Sequence, residues 1–170
     1  QRLGGLGAQG AADFLLHLSA YGTRGGLVLI SCEDPGALSS TNEGESRFYA
    51  KTMEFPLLEP GSFQEAKDMT KWAFELSEEI NNLVMIRSVT RLSHGSGVVS
   101  LGRLPRVRPK PVFHFQGAMD DPRAGPIINL PGIVLVSHER QLKNMRRAAQ
   151  IFNTSAFNHY QGPDWPELLV

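Results

Sequence analysis

The sequence has very little cysteine, no long apolar run and no excess of charge of either sign. Cys32 is the single cysteine among 170 residues, so the chain can form no internal disulfide and no cysteine cluster for zinc or an iron–sulfur centre. The longest apolar runs, such as residues 26–30, are far shorter than the ~20 residues that span a bilayer. Because no signal-peptide pattern begins the sequence, we expect a cytoplasmic protein that does not contact a membrane.

The charges balance, with 17 basic and 17 acidic residues, so no net field favours a nucleic acid. Two local basic clusters remain. The cluster at 103–110 is predicted to be a solvated linker, with a subunit contact or a coenzyme phosphate as the alternative. The cluster at 140–147 is predicted to be the wet face of an amphipathic helix. Hydrophobic residues make up 41% of the chain, which is enough to build a core.

Both ends of the sequence suggest a piece of a longer chain. It begins with Gln1 rather than methionine, and it stops at Val170, three residues into an apolar run. A native terminus is more often polar and frayed. We therefore expect further protein on both sides.

Helical and strand patterns alternate through the first half of the chain. Helices are predicted at 11–21, 46–51 and 62–80, and short apolar strands at 27–30, 55–58 and 83–86. Ser62 and Glu65 form an S-x-x-E capping box at the start of the third helix. This alternation predicts a parallel sheet covered by helices, with strands buried on both faces. Cys32, just past the first strand, is expected in the core rather than as a nucleophile.

The second half of the chain is less regular. We predict a flexible break at 94–97, a helix at about 137–152 and the start of another strand at 168–170. The predicted organisation is a partial α/β domain at 1–97, a connector at 98–132, and a linking helix that leads into a next domain at 133–170.

Ligands of open parallel sheets bind at the carboxyl ends of the strands, which here precede the loops after Ile30 and Ile86. The first of these loops, residues 34–43, is dense in small hydroxyl and amide groups. Such groups can hydrogen-bond a polar ligand without adding net charge. The same composition is also typical of a solvated surface loop, so both interpretations remain open.

The order of several short motifs resembles the large (alpha) subunit of indolepyruvate:ferredoxin oxidoreductases, in the thiamine-diphosphate-dependent 2-oxoacid:ferredoxin oxidoreductase family. The resemblance covers residues 5–97 and is faint beyond 98. Its motifs, in order, are YGxRGG at 21–26, DPG at 34–36, SS at 39–40, NE at 42–43, RxYAK at 47–51, LEP at 58–60, QEAKDM at 64–69, AFELSE at 73–78 and TRxSH at 90–94.

The resemblance implies the second half of a doubly wound, pyrimidine-binding α/β domain, followed by a connector and a helix. It implies an enzyme that oxidatively decarboxylates 2-oxoacids, of the aryl, indolepyruvate-like kind, to acyl-CoA with ferredoxin as electron acceptor. Thiamine diphosphate, Mg²⁺ and iron–sulfur clusters are expected in the full enzyme, and none is expected to be bound by this piece alone. A small beta subunit or a fused equivalent, and a larger oligomer, are the implied protein partners.

Site residues follow from the resemblance alone. No catalytic residue and no metal ligand is expected here, because the family's catalytic glutamate precedes the position of Gln1 and its metal and cluster motifs lie elsewhere. The cofactor-binding positions are Gly5 and Leu6. The substrate-side loop contains Ser39, Ser40, Asn42, Glu43 and Arg47.

Two of the matched residues have a structural alternative. Arg47 could bind a substrate carboxylate in bidentate fashion, or it could form an ion pair with Glu43 or Glu45. His94 matches a histidine at the exit from the family's domain, or it caps local backbone at a glycine-rich turn.

Two other functions remain open for the chain. It could be a non-catalytic assembly module derived from this domain, or a relative specific for pyruvate or oxoglutarate, since substrate choice depends on pocket shape. For the enzyme fragment that the resemblance implies, we expect the isolated 170-residue chain to have no turnover.

Overall fold

The fold is that of a computed structural model, which describes residues 10–41, 43–103, 131–159 and 162–165. Within these ranges the chain is an α/β structure. Its elements are α1 (Ala12–Tyr21), β1 (Val28–Glu33), α2 (Arg47–Met53), β2 (Leu57–Leu58), α3 (Phe63–Ile80), β3 (Val84–Val89), α4 (Thr90–Ser93) and α5 (Pro131–Asn153). The predicted alternation of helices and strands is confirmed.

The three strands form a parallel sheet in the order β1-β3-β2. The chain passes from β1 to β2 through α2 and returns to the centre of the sheet through α3. Crossovers between parallel strands are right-handed, so these two opposite directions place α2 and α3 on opposite faces. The predicted fold class, a partial doubly wound parallel sheet, is therefore confirmed.

Each face of the sheet has its own apolar layer. On one face the side chains of α1 and α2 pack with Leu83 and Met85, and on the other face those of α3 pack with Val84 and Ile86. These four residues of the central segment are almost completely buried. The prediction of a strand buried on both faces holds for β3.

The same prediction is wrong for β1, which is an edge strand. Ile30 is 57% exposed, and Cys32 is exposed rather than in the core. Both point to the face that α3 covers, and α3 lies over the centre of the sheet more than over its edge. The apolar run at 27–30 therefore indicated a strand correctly but not how deeply it is buried.

Local hydrogen bonds fix the ends of α1 and α3. The Ser62 hydroxyl accepts from the Glu65 N–H at 3.2 Å, as the capping box predicts. The Glu65 carboxylate, however, accepts from the Gly61 N–H at 2.7 Å rather than from Ser62. Asn81 ends α3 in the left-handed region, and Gly22 ends α1 at φ 78°, where an added Cβ would lie 2.4 Å from the Asn81 carbonyl oxygen.

The segment after α4 packs against α3 through its glycines. Residues 94–97 form no helix or strand, so the predicted break in regular structure is present, and its flexibility stays a prediction. A Cβ on Gly97 would lie 2.2 Å from Cδ2 of Phe63, and one on Gly95 would lie 2.7 Å from its Cζ. Further along, the Gln64 side chain accepts from the Ser100 N–H at 2.7 Å. The glycines allow the backbone to lie directly on the Phe63 ring.

Helix α5 begins at Pro131, earlier than the predicted start near 137, and packs against the C-terminal ends of α1, α2 and α3. Its Gln141 is buried and donates to the Ser19 hydroxyl at 3.1 Å and to the Met53 carbonyl at 2.9 Å. Farther along, Arg147 pairs with Glu79 at 2.7 Å. Because these helix ends lie at the amino edge of the sheet, α5 packs across that edge.

Parts of the predicted organisation fall on residues whose structure is not described. Residues 104–130, which make up most of the predicted connector, and residues 168–170, the predicted new strand, lie outside the described ranges. None of the helices within those ranges has the length and hydropathy that crossing a membrane requires.

Candidate functional site

Polar and charged side chains collect where β1 and β3, which are neighbours in the sheet, reach its carboxyl edge. We call this group the carboxyl-edge cluster. Its members are Glu33, Asp34, Glu45, Arg47, Glu59, Arg87 and Thr90. Both loops in which the sequence predicts a ligand begin at this cluster.

A buried ion pair forms the centre of the cluster. The Glu33 carboxylate accepts a hydrogen bond from Nε of Arg87 and another from the Ser46 N–H, and the two charged side chains are 0% and 7% exposed. Burial by itself lowers the pKa of Arg87. The hydrogen bond and charge of Glu33, with smaller effects of Glu59 and Glu45, raise this pKa above its ordinary value. Glu33 therefore joins the ends of β1 and β3 to the start of α2.

A half-exposed layer of charges surrounds this pair. Arg87 also donates to Glu59 at 2.8 Å. Arg47 donates from Nε to the same glutamate at 2.9 Å and from Nη1 to Glu45 at 3.0 Å. The predicted ion pair between Arg47 and Glu45 is thus present, and Glu59 is an additional partner. Binding of a substrate carboxylate by Arg47 stays a prediction.

Asp34 shapes the loop that follows β1. The Ala37 N–H donates to the Asp34 carbonyl at 2.9 Å, and Gly36 has φ 75°, which together with Pro35 gives a type II turn. The Asp34 carboxylate accepts from the Thr90 hydroxyl and from the N–H groups of two serines, at 39 and 40. The Thr90 hydroxyl first and then these N–H groups lower the pKa of Asp34 to about 2.

The predicted substrate-side residues lie in or next to this loop. Ser39 and Glu43 are exposed and Ser40 is partly buried. The backbone N–H groups of both serines bond the Asp34 carboxylate, and the Ser39 side chain also hydrogen-bonds it. Asn42, like the predicted cofactor positions Gly5 and Leu6, lies outside the described residues. All of these assignments stay predictions.

His94 lies just after α4, and its N–H donates to the Thr90 carbonyl at 2.9 Å. Its side chain is exposed. This bond comes from the backbone, so the predicted alternative, a His94 side chain that caps local backbone at the glycine-rich turn, stays a prediction.

The cluster does not offer a ligand set for a metal ion. The carboxylates of Glu33, Glu45 and Glu59 all pair with guanidinium groups, and no group of histidine, cysteine and acidic residues in the described part of the chain could hold a metal. The Mg²⁺ site that the resemblance implies for the full enzyme is expected outside this chain, and that expectation stays a prediction.

Sequence reasoning assigned no site role to three members of the cluster: Glu59, Arg87 and Thr90. Arg87 had a signal, because it directly follows the apolar run at 83–86 and a charge at the end of a buried strand needs a partner. Its partner Glu33 lies three residues past the run at 27–30. Their pairing depends on β1 and β3 being neighbours, which the sequence alone does not specify.

The chain is similar to curated proteins named indolepyruvate oxidoreductase subunit IorA. It is 37% identical to the protein of Pyrococcus horikoshii over 159 residues, 94% of this chain and 24% of the relative. For Archaeoglobus fulgidus the identity is 38% over 158 residues, 90% of this chain and 24% of the relative. For Methanothermobacter marburgensis it is 34% over 161 residues, 94% of this chain and 25% of the relative.

The chain spans about a quarter of the length of these relatives. No protein-family model matches it, and no solved structure is significantly similar to it. The similarity extends past residue 98, where the motif-based resemblance was faint, because it covers at least 90% of the chain in each of these three comparisons.

Proposed function

The chain is homologous to a quarter-length segment of the indolepyruvate oxidoreductase subunit IorA, and on this basis we propose that it forms the substrate-side part of an indolepyruvate:ferredoxin oxidoreductase. The complete enzyme would convert an aryl 2-oxoacid and coenzyme A to an acyl-CoA and carbon dioxide. Two electrons would pass to ferredoxin. The proposal places the enzyme in the cytoplasm, with a small beta subunit or fused equivalent as partner.

The observation that carries this proposal is the similarity to IorA over at least 90% of the chain. A second observation supports the site: the polar loop at 34–43 follows β1 at the carboxyl edge of a doubly wound sheet, where ligands of such sheets bind. The neighbouring strand β3 ends beside it. The two loops that follow adjacent strands therefore meet at one place.

The chemistry of the proposed reaction comes from groups outside this chain. Thiamine diphosphate supplies the stabilised carbanion, and iron–sulfur clusters carry the electrons, when they are bound by the complete enzyme. The residues of this chain hold and orient the substrate-side loop. Glu33 fixes the start of α2 through the Ser46 N–H, and Asp34 fixes the serines at 39 and 40.

A graft tests the proposed function. The segment of the Pyrococcus horikoshii subunit that aligns with this chain is replaced by this chain, and a second graft carries the aligned Archaeoglobus fulgidus segment as the matched control. Both subunits are assembled with the remaining parts of the enzyme. We expect indolepyruvate- and coenzyme-A-dependent reduction of a viologen dye by both grafts.

Two results distinguish the proposal from its alternatives. If the control graft turns over while the graft with this chain assembles to the same size and is inactive, the chain is an assembly module and the proposal is wrong. If the graft with this chain oxidises pyruvate or 2-oxoglutarate but not indolepyruvate, the class of enzyme stands and the aryl specificity is wrong.

A further inference from the structure

Two large apolar side chains stand exposed next to the carboxyl-edge cluster. Leu38 is 78% exposed and Phe48 is 69% exposed, although between them, at 39–47, the chain is polar or charged apart from one glycine. Leu38 follows the turn after β1, and Phe48 lies in the first turn of α2. Both therefore belong to the segment that starts at the carboxyl edge.

The backbone that presents these side chains is held in place. Both neighbours of Leu38 in the sequence bond Asp34. The Ala37 N–H donates to the Asp34 carbonyl, and the Ser39 N–H donates to the Asp34 carboxylate. Phe48 follows Ser46, whose N–H donates to the buried Glu33 carboxylate. A rigid support of this kind is what a precise binding subsite requires.

The charges in this region are already engaged with one another. Arg47, which precedes Phe48, pairs with Glu45 and Glu59, and the cluster has more carboxylates than guanidinium groups. A surface of this kind offers little attraction to an anionic group. It is compatible with the uncharged, apolar part of a ligand, which gains from burial against leucine and phenylalanine.

We propose that Leu38 and Phe48 form the apolar side of the subsite that receives the aromatic ring of the 2-oxoacid substrate. The proposal rests on the proposed function, because the aromatic substrate comes from there. In this arrangement the two residues determine specificity, and they discriminate an aryl from a small aliphatic 2-oxoacid without contacting the reacting carbonyl.

Steady-state kinetics of the grafted enzyme test this proposal with Leu38→Ser and Phe48→Ser. We expect kcat/KM for indolepyruvate to fall at least about tenfold in each variant, mainly through KM, while kcat/KM for pyruvate stays within about twofold. Leu135→Ser and Phe74→Ser are the matched controls, since both residues are exposed on α5 and α3, away from the cluster. The controls should leave both substrates unchanged.

Other outcomes overturn the proposal. An equal fall in kcat/KM for both substrates would mean that the two side chains contact another part of the enzyme. No change in kcat/KM for either substrate would mean that they face solvent. In both cases, turnover by the parent graft leaves the proposed function intact. Calorimetric titration of the parent graft with indolepyruvate covers the remaining case. If it neither binds nor turns over this substrate, the proposed function fails and the specificity residues fail with it.

Discussion

Replacing Arg87 with methionine should lower the free energy of unfolding by about 3–5 kcal/mol, because it leaves the Glu33 carboxylate buried without a counter-charge. Both side chains of the pair are almost inaccessible to water, so screening offers little relief. Arg87→Lys should lose less, since it keeps the charge but not the geometry of the guanidinium group.

Arg47→Met is the control that isolates burial. Arg47 also pairs with two glutamates, but it is 51% exposed and its partners are 36% and 40% exposed. Exposed pairs contribute about 0–1 kcal/mol, so we expect a loss of less than about 1 kcal/mol. The double variant Glu33→Gln/Arg87→Met should lose less than the sum of its single variants, because it removes both charges together.

Urea unfolding of the 170-residue chain, followed by circular dichroism and extrapolated linearly to water, measures these differences. The reasoning is refuted if Arg87→Met and Arg47→Met lower the free energy of unfolding equally, or if the Arg87 variant lies within about 1 kcal/mol of the parent. If Arg87→Met does not fold, the Arg87→Lys variant carries the comparison with Arg47→Met.

Three further predictions concern local features. Gly22→Ala should lower the free energy of unfolding by at least about 1–2 kcal/mol in urea titrations, because position 22 has a positive φ that alanine disfavours. Gly25→Ala is the control, since a Cβ there lies in open space, and it should leave the free energy of unfolding unchanged. Gly97→Ala should speed trypsin cleavage near residue 103, because the added methyl group displaces the segment around residue 97 from the ring of Phe63. Gly102→Ala should leave the cleavage rate unchanged. Asp34 has a folded pKa of about 2, below the unfolded value of roughly 3.9. Its contribution to the free energy of unfolding is therefore present above pH ~4 and is lost as the pH falls through about 2. Asp34→Asn should reduce the loss of stability in that pH window, and a pH profile of stability identical to that of the parent would contradict this assignment.

The elements whose signal is local were predictable from the sequence. The capped start of α3, its end at Asn81 and the glycine after α1 depend on residues within one turn of the chain, and all three agree with the structure. The parallel arrangement also followed, because apolar runs alternate with helical patterns. What these signals share is that each is satisfied by neighbours in sequence.

The features that were missed depend on contacts between distant residues. The run at 83–86 ended the predicted strand at Ile86, yet β3 continues to Val89, because the charge of Arg87 is neutralised by Glu33 on the adjacent strand. The exposure of Cys32 follows from the edge position of β1 in the sheet order. In the same way, the glycines at 95 and 97 suggested a flexible backbone. Their lack of a side chain instead lets the backbone lie against the ring of Phe63.

The contacts of Gln141 have a consequence for how the chain folds. They join α5 to residues 122 and 88 positions earlier in the sequence, so they can form only after a very long loop has closed. Loops of this length are slow to close, and non-local contacts form late in folding. We expect the sheet with α1 to α3 to assemble first, and the docking of α5 across the amino edge to be the slow final step.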